Sequence, residues 1–252
     1  MKVSVITVCY NSAKTIGDTL RSVSEQTYAN IEHIVVDGGS TDSTLEVVAT
    51  EGSHVAKLVS EKDNGIYDAM NKGISMASGE IIGFINADDF YASSDVLMRV
   101  AATFNDPDVD VCYGDLCYVN QQDTSSIVRY WRSSEFKSGL FMSGWCPPHP
   151  TFFVRKSIYE QFGGFDLNYR IAADIELMLR FLQVHRVRSH YLPSILIKMR
   201  MGGTTNKSLG NIIKQNREIW QAFKKHGIQP SLARFVGGKL FSRGKQFLFH
   251  PK

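Results

Sequence analysis

The chain has 252 residues, 43% hydrophobic and 21% charged, which is enough for one large α/β domain with an additional segment. No run approaches the ~18 apolar residues that span a bilayer, and Met1 leads directly into a strand pattern, so neither a membrane span nor a signal peptide is expected. The net charge of +3 hides a split: residues 1–184 hold 14 Lys/Arg against 24 Asp/Glu, whereas residues 185–252 hold 14 against the single acid Glu218. An acidic body joined to a basic tail predicts that the tail meets something anionic. Cys9, Cys112, Cys117 and Cys146 contain no Cys-x-x-Cys pair, and free thiols in a reducing cytoplasm are expected.

Val3 to Val8 predicts a buried strand, followed by the loop Tyr10-Asn11-Ser12 and a helix over about 13–26 with Ile16, Leu20 and Val23 on one face. A second strand, Ile31 to Val36, ends at Asp37. Gly38-Gly39-Ser40-Thr41-Asp42 supplies a turn, and Ser43 and Glu46 have capping-box spacing for the next helix. Val55 to Val59 predicts a third strand, Tyr67 to Ala77 a helix, and Ile81 to Ile85 a fourth strand closed by Asn86-Ala87-Asp88-Asp89. Two adjacent carboxylates at the end of a buried strand are costly unless solvent, a metal or a cation meets them. Such oxygen-rich sites suit hard cations, Mg²⁺ or Mn²⁺, which usually arrive with substrate phosphates.

Alternation of apolar strands with helices predicts a parallel sheet covered on both faces, with ligands bound outside the carboxyl ends of its strands. All four strands end in polar groups: Tyr10-Asn11, Asp37-Gly38, Glu61-Lys62-Asp63 and Asn86 to Asp89. One edge of one sheet is therefore expected to carry the site.

After about residue 107 the pattern changes. Val109 to Val119 and Ile127 to Trp131 read as a hairpin or mixed strands, and Cys146-Pro147-Pro148-His149-Pro150 as a rigid loop entering a short strand, Thr151 to Val154. A helix over Ala172 to His185 opens with Asp174, where the macrodipole favours a carboxylate. Within it Arg180 is spaced to pair with Glu176, with contact to phosphate as the alternative. Gly202-Gly203-Thr204-Thr205 reads as a polar loop, and Leu209 to Lys225 as another helix. The stretch from Leu232 to Phe249 interleaves cations with Phe235, Phe241, Phe247 and Phe249, and sets Leu232, Val236 and Leu240 on one helical face. It suits either a membrane interface or packing on the body.

These residues resemble glycosyltransferase family 2, whose members have the GT-A fold. The resemblance rests on Val5 to Asn11, on Val35 to Asp42, and on the run Glu61-Lys62-Asp63-Asn64-Gly65-Ile66-Tyr67-Asp68-Ala69-Met70-Asn71-Lys72-Gly73. Gly79 to Asp89 and Ile171 to Asp174 complete it. The run from Glu61 is most similar to the exopolysaccharide and colanic-acid-type branch. The resemblance implies an α/β, Rossmann-like, mostly parallel sheet flanked by helices. It divides the chain into a GT-A domain over 1–205 (nucleotide-binding half 1–106, acceptor half 107–205) and a basic helical extension over 206–252.

It also implies an inverting, metal-dependent transfer from a UDP- or GDP-sugar to a saccharide or lipid-linked saccharide acceptor, in the cytoplasm or peripherally on the inner face of the membrane. Thr7, Val8 and Tyr10 would line the base pocket. Asp37 would bond base or ribose, with Lys62 and Asp63 beside them. Asn86 and Asp88 would hold the donor, Asp88 with Asp89 would bind Mn²⁺ or Mg²⁺, His149 would approach the diphosphate or acceptor, and Asp174 would be the base. Gly202-Gly203 would belong to a lid. Two positions depart from the family pattern: Asn86 stands where an Asp is usual, and Gly38 where an acid is usual. A sugar-nucleotide nucleotidyltransferase is disfavoured because the loop Tyr10-Asn11-Ser12-Ala13 lacks glycines. A non-catalytic anion binder leaves Asp37, Asp88, Asp89 and Asp174 unexplained, so no nucleic-acid partner is expected.

Overall fold

The computed structural model describes residues 1–202 and 209–248. Aliphatic, largely β-branched runs form β1 (Val3–Cys9), β2 (Ile31–Asp37), β3 (Val55–Ser60) and β4 (Ile81–Asn86). β1 lies between β2 and β4, β3 adds outside β2, and all these pairings are parallel. Register brings Cys9 opposite Asp37, Val8 opposite Asn86, and Asp37 opposite Ser60. The polar endings of the four strands thus share one edge, as the sequence pattern required. β3 departs from the all-apolar expectation: as the outermost strand it alternates half-buried and exposed residues, with Leu58 in solvent.

The sheet continues through β5 (Asp89–Tyr91), β6 (Val111–Val119), β7 (Ile127–Trp131), β8 (Phe153–Arg155) and β9 (Ser189–Arg200). Its order is β3-β2-β1-β4-β8-β6-β9-β5, with β7 paired to β6 as the expected hairpin. β8 is antiparallel to both β4 and β6, and so joins the two halves into one sheet. β9 was not expected from the sequence. Pro193 and alternating polar residues lower its strand signal, yet it runs parallel along β6 and antiparallel to β5.

The helices are α1 (Ile16–Ser24), α2 (Thr44–Glu51), α3 (Ile66–Met76), α4 (Val96–Thr103), α5 (Lys156–Phe162), α6 (Ala173–Leu179), α7 (Leu209–Lys225) and α8 (Leu232–Leu248). α6 continues as a π turn over Arg180–Val184. Ser43 makes no capping-box bond to α2. The Asp42 carboxylate accepts from the Thr44 amide at 3.0 Å instead. Arg180 is buried and pairs with Glu176 at 3.2 Å rather than facing a phosphate. Lys225 and His226 reach the same Glu176 oxygen, at 3.0 and 2.8 Å.

One apolar core runs through both halves and into the tail: Ile6, Ile34, Phe84, Tyr113 and Leu177 share it with Ile219 and Phe223 of α7 and Phe235 of α8. Phe235 packs on Trp220 and Phe223 with ring centroids 5.8 Å from each. Gly238 lets α8 close on the turn at Ser143, because a Cβ there would lie 2.1 Å from the Ser143 carbonyl oxygen. Part of the basic excess is absorbed by the body itself, through Arg188 to Asp108 and Asp110, Lys225 to Asp166, and Arg200 to Asp18. All four cysteines are free.

Candidate active site

The carboxyl edge of β1, β2 and β3 forms the first wall. Tyr10, 62% exposed at the end of β1, lies beside Gly38 and Asp63. A Cβ at Gly38 would sit 2.5 Å from Asp63 Oδ2 and 3.6 Å from the Tyr10 ring, so a larger residue here would displace the Asp63 carboxylate. Asp63 Oδ1 accepts from the Gly65 amide at 2.8 Å, and Lys62 is exposed next to it.

Asp37 is fully buried, and both its oxygens are engaged within the chain. The Gly39 and Ser40 amides donate to Oδ2 at 3.1 and 2.9 Å, and the Ser60 hydroxyl at 2.7 Å. Burial opposes its charge, but the hydroxyls of Ser40 and Ser60 and the Ser40 amide outweigh it and hold the carboxyl below its ordinary value. Asp37 thus shapes the turn that carries Gly38. Thr7 and Val8 lie beneath this rim: Val8 is in the core, and the buried Thr7 hydroxyl bonds His33 Nε2 at 2.9 Å.

The second wall is the turn after β4. Asp88 is half-buried, and its carbonyl accepts from Arg200 Nη1 at 2.9 Å. Asp89 is fully buried. Asn86 Nδ2 donates to its Oδ2 at 3.1 Å, while its Oδ1 has no hydrogen-bond partner. Burial, reinforced by the negative charge of Asp88, pushes the Asp89 carboxyl well up. A desolvated, orphaned carboxyl oxygen next to a second carboxylate is an environment that a divalent cation stabilises. No cluster of three or more His, Cys, Asp or Glu side chains occurs among the described residues, so a cation here needs phosphate or water oxygens to complete its shell. Asp88, Asp89 and Asn86 fit such a metal on these grounds.

The third wall is the first turn of α6. Asp174 is half-buried there, with the Tyr67 hydroxyl 3.0 Å from its Oδ1. Tyr67 stacks on Phe165 (centroids 5.4 Å apart), and Phe165 meets both Phe84 of β4 and His149 at 5.5 Å. This aromatic floor connects the turn that carries Asp174 to β4, the strand that leads into the Asp88 turn. Burial lowers the His149 imidazole below its ordinary value, with the Asp174 charge opposing, so His149 stands neutral beside that carboxylate.

Sequence reasoning missed two residues at the site. Arg200, at the end of β9, is buried; it ties the Asp88 carbonyl to Asp18 of α1 and lies 5.1 Å above the Phe90 ring. Tyr67 stood inside the recognised run from Glu61 without a role. A cation closing an apolar strand and a tyrosine opening a helix were the available signals. Of the expected lid, Gly202 is described with φ +115, whereas Gly203 lies outside the described residues.

Comparison with known proteins identifies the family and the fold. A PGL/p-HBAD biosynthesis glycosyltransferase of Mycobacterium bovis is 29% identical over 208 residues, covering 81% of this chain and 78% of its own length. An uncharacterized glycosyltransferase of Mycobacterium tuberculosis is 35% identical over 181 residues, covering 71% of this chain and 68% of its own. The crystal structure of S. aureus TarS 1–349 in complex with UDP-GlcNAc has a TM-score of 0.69 at 20% identity, covering 96% of this chain and 73% of that one. Mannosyltransferase PcManGT from Pyrobaculum calidifontis, in complex with GDP-Man and Mn²⁺, has a TM-score of 0.65 at 21% identity, covering 96% and 68%. These two share the GT-A fold with the chain. The Glycosyl transferase family 2 model matches residues 4–163, and with the relatives above this places the chain in that family, as a glycosyltransferase.

Proposed function

We propose that the chain catalyses inverting, metal-dependent transfer of a sugar from a UDP- or GDP-sugar to a saccharide hydroxyl. The observation that carries this reading is the aromatic floor of Tyr67, Phe165 and Phe84, which links Asp174 and His149 to β4, the strand that leads into the Asn86–Asp89 turn.

Tyr10, Asp63 and Lys62 form the side that receives the nucleoside, with Asp37 fixing the turn between them. Asn86, Asp88 and Asp89 would hold Mn²⁺ or Mg²⁺, which neutralises the charge that develops on the departing diphosphate. Asp174 takes the proton of the acceptor hydroxyl, a poor nucleophile until deprotonated, and such a base typically contributes ~10²–10⁴-fold. TarS with UDP-GlcNAc and PcManGT with GDP-Man and Mn²⁺ support the donor class and the metal by analogy of fold.

The acceptor reading is a saccharide, free or lipid-linked, in surface polysaccharide synthesis of the exopolysaccharide type, handled at a membrane face. No helix among the described residues is long and apolar enough to cross a membrane. Support for a peripheral position comes from α8, where Leu232, Val236, Leu240 and Phe241 are exposed.

The test is donor hydrolysis and transfer across a panel of UDP- and GDP-sugars with Mn²⁺. Asp174→Asn should lower kcat by at least ~10²-fold with donor affinity nearly unchanged. Loss of donor binding in that variant would remove Asp174 as the base.

A further inference from the structure

Glu218 is the single acid among residues 185–252, which hold 14 Lys/Arg. A lone carboxylate in such company would be expected to pair with a cation, yet it forms no salt bridge among the described residues and is only 5% exposed. Its Oε2 instead accepts from two backbone amides, Ile171 at 2.8 Å and Ala172 at 3.0 Å. These amides belong to the two residues just before α6, and Ala172, the N-cap residue, has no side chain to cap its helix. Burying a carboxylate is costly unless hydrogen bonds compensate it, and here both bonds go to the backbone two and three residues before Asp174.

A second group reaches the same backbone. The Tyr67 hydroxyl lies 3.1 Å from the Ile171 carbonyl and 3.0 Å from Asp174 Oδ1. Glu218 itself is held firmly: Ile219, Ala222 and Phe223 of α7 are buried, and Lys225 bonds Asp166 at 2.8 Å and Glu176 at 3.0 Å. α7 is therefore tied to α6 at two points, through Glu218 to the backbone just before its first turn and through Lys225 to Glu176.

We propose that Glu218 is a positioning residue for Asp174, which makes the basic C-terminal region part of the active site. The inference rests on the proposed role of Asp174 as the base. Glu218 acts on the chemical step by holding the 171–172 backbone in the register that directs the Asp174 carboxylate at the acceptor hydroxyl.

The test combines substitutions at Glu218 with Asp174→Asn in the full chain, assayed for kcat, donor KM and thermal melting. Glu218→Ala should lower kcat by ~10–100-fold with donor KM changed less than ~3-fold, the cost of a base displaced by about an ångström. Glu218→Gln should restore kcat to within ~3-fold, because one amide oxygen can accept both backbone N–H groups. In the Asp174→Asn background Glu218→Ala should have less than ~2-fold further effect, because residues that act through one group are not additive. A purely structural role predicts the same loss in both backgrounds, tracking the folded fraction, and that result would overturn the proposal. If Glu218→Ala does not fold, Glu218→Asp decides: it keeps the charge but withdraws the oxygen, and unchanged kcat overturns the proposal. Full activity of Asp174→Asn alone would instead defeat the base reading, an outcome separate from an inert Glu218.

Discussion

The Tyr67 hydroxyl stands 3.0 Å from Oδ1 of Asp174 across 107 residues of sequence, linking the opening of α3 to the first turn of α6. Burial, with the Asp174 charge beside it, pushes the Tyr67 phenol well up, so it remains a proton donor at any working pH. Given to Asp174 rather than to the Ile171 carbonyl 3.1 Å away, its one proton would orient the carboxylate and leave the other oxygen for the acceptor in the proposed mechanism.

Tyr67→Phe should therefore lower kcat by ~10-fold, the scale of a lost hydrogen bond to a charged group. The stack on Phe165 at 5.4 Å survives the change, so the melting temperature and the calorimetric donor affinity should move little. An unaltered kcat would show that the contact does not orient the base.

At the opposite wall, Asp88→Asn should abolish transfer and sharply weaken Mn²⁺-dependent nucleotide binding, while nucleotide binding without metal changes little. Wild-type activity undiminished by excess EDTA would defeat the metal assignment, as would full activity of the variant. Arg200→Met removes the grip on the Asp88 carbonyl and the ion pair with Asp18 while leaving the Asp88 and Asp89 side chains in place, and should weaken metal affinity less than Asp88→Asn does.

Acid should destabilise the fold partly through His33. Its ring nitrogens bond the Thr7 hydroxyl at 2.9 Å and His54 at 3.0 Å. Burial, with His54 adding to it, lowers the imidazole from 6.5 to about 3. As pH falls through 6.5 the unfolded chain takes the proton while the folded one does not, so the contribution of His33 is whole above 6.5 and fades toward about 3. His33→Gln should melt lower than wild type at neutral pH, yet lose less between pH ~7 and ~5. Parallel melting curves across that range would place the acid sensitivity elsewhere.

Much of the site was legible because it is local in sequence. Four strands close in polar residues, and the parallel register lines up Cys9 with Asp37 and Val8 with Asn86, so a pattern read along the chain became an edge in space. Gly38, an apparent loss of a polar contact, proved to be the space that Asp63 occupies. What escaped was long-range. β9 hides behind Pro193, Arg200 works on a carbonyl 112 residues away, and the bonds of Glu218 run 46 and 47 residues back. Periodicity carries no signal for side chains that serve a distant backbone. The buried environment of Asp37 was equally invisible, since a carboxylate at a strand end reads the same whether it faces a ligand or its own turn.

The tail gives the last prediction. Leu232, Val236, Leu240 and Phe241 are 62%, 44%, 67% and 65% exposed, and the first three repeat every fourth residue along α8. Arg234 and Arg243 on the same helix form no salt bridge among the described residues. Phe235, by contrast, is 4% exposed and belongs to the core, and the Phe247 side chain and Phe249 lie outside what is described. Deleting residues 231–252 would uncover Trp220 and Phe223, so point substitution is the cleaner probe. Leu232→Gln, Val236→Gln and Leu240→Gln together remove the apolar stripe and keep every cation. Each basic residue near an anionic leaflet contributes about 1 kcal/mol and is screened by salt, whereas a buried aliphatic side chain adds ~1.5–3 kcal/mol that salt does not remove. High salt should therefore release the wild type only partly from anionic liposomes, and the triple variant almost completely, with donor hydrolysis intact in both. Flotation of the two proteins with phosphatidylserine-containing vesicles measures this, and equal binding would mean that the α8 stripe takes no part in membrane attachment.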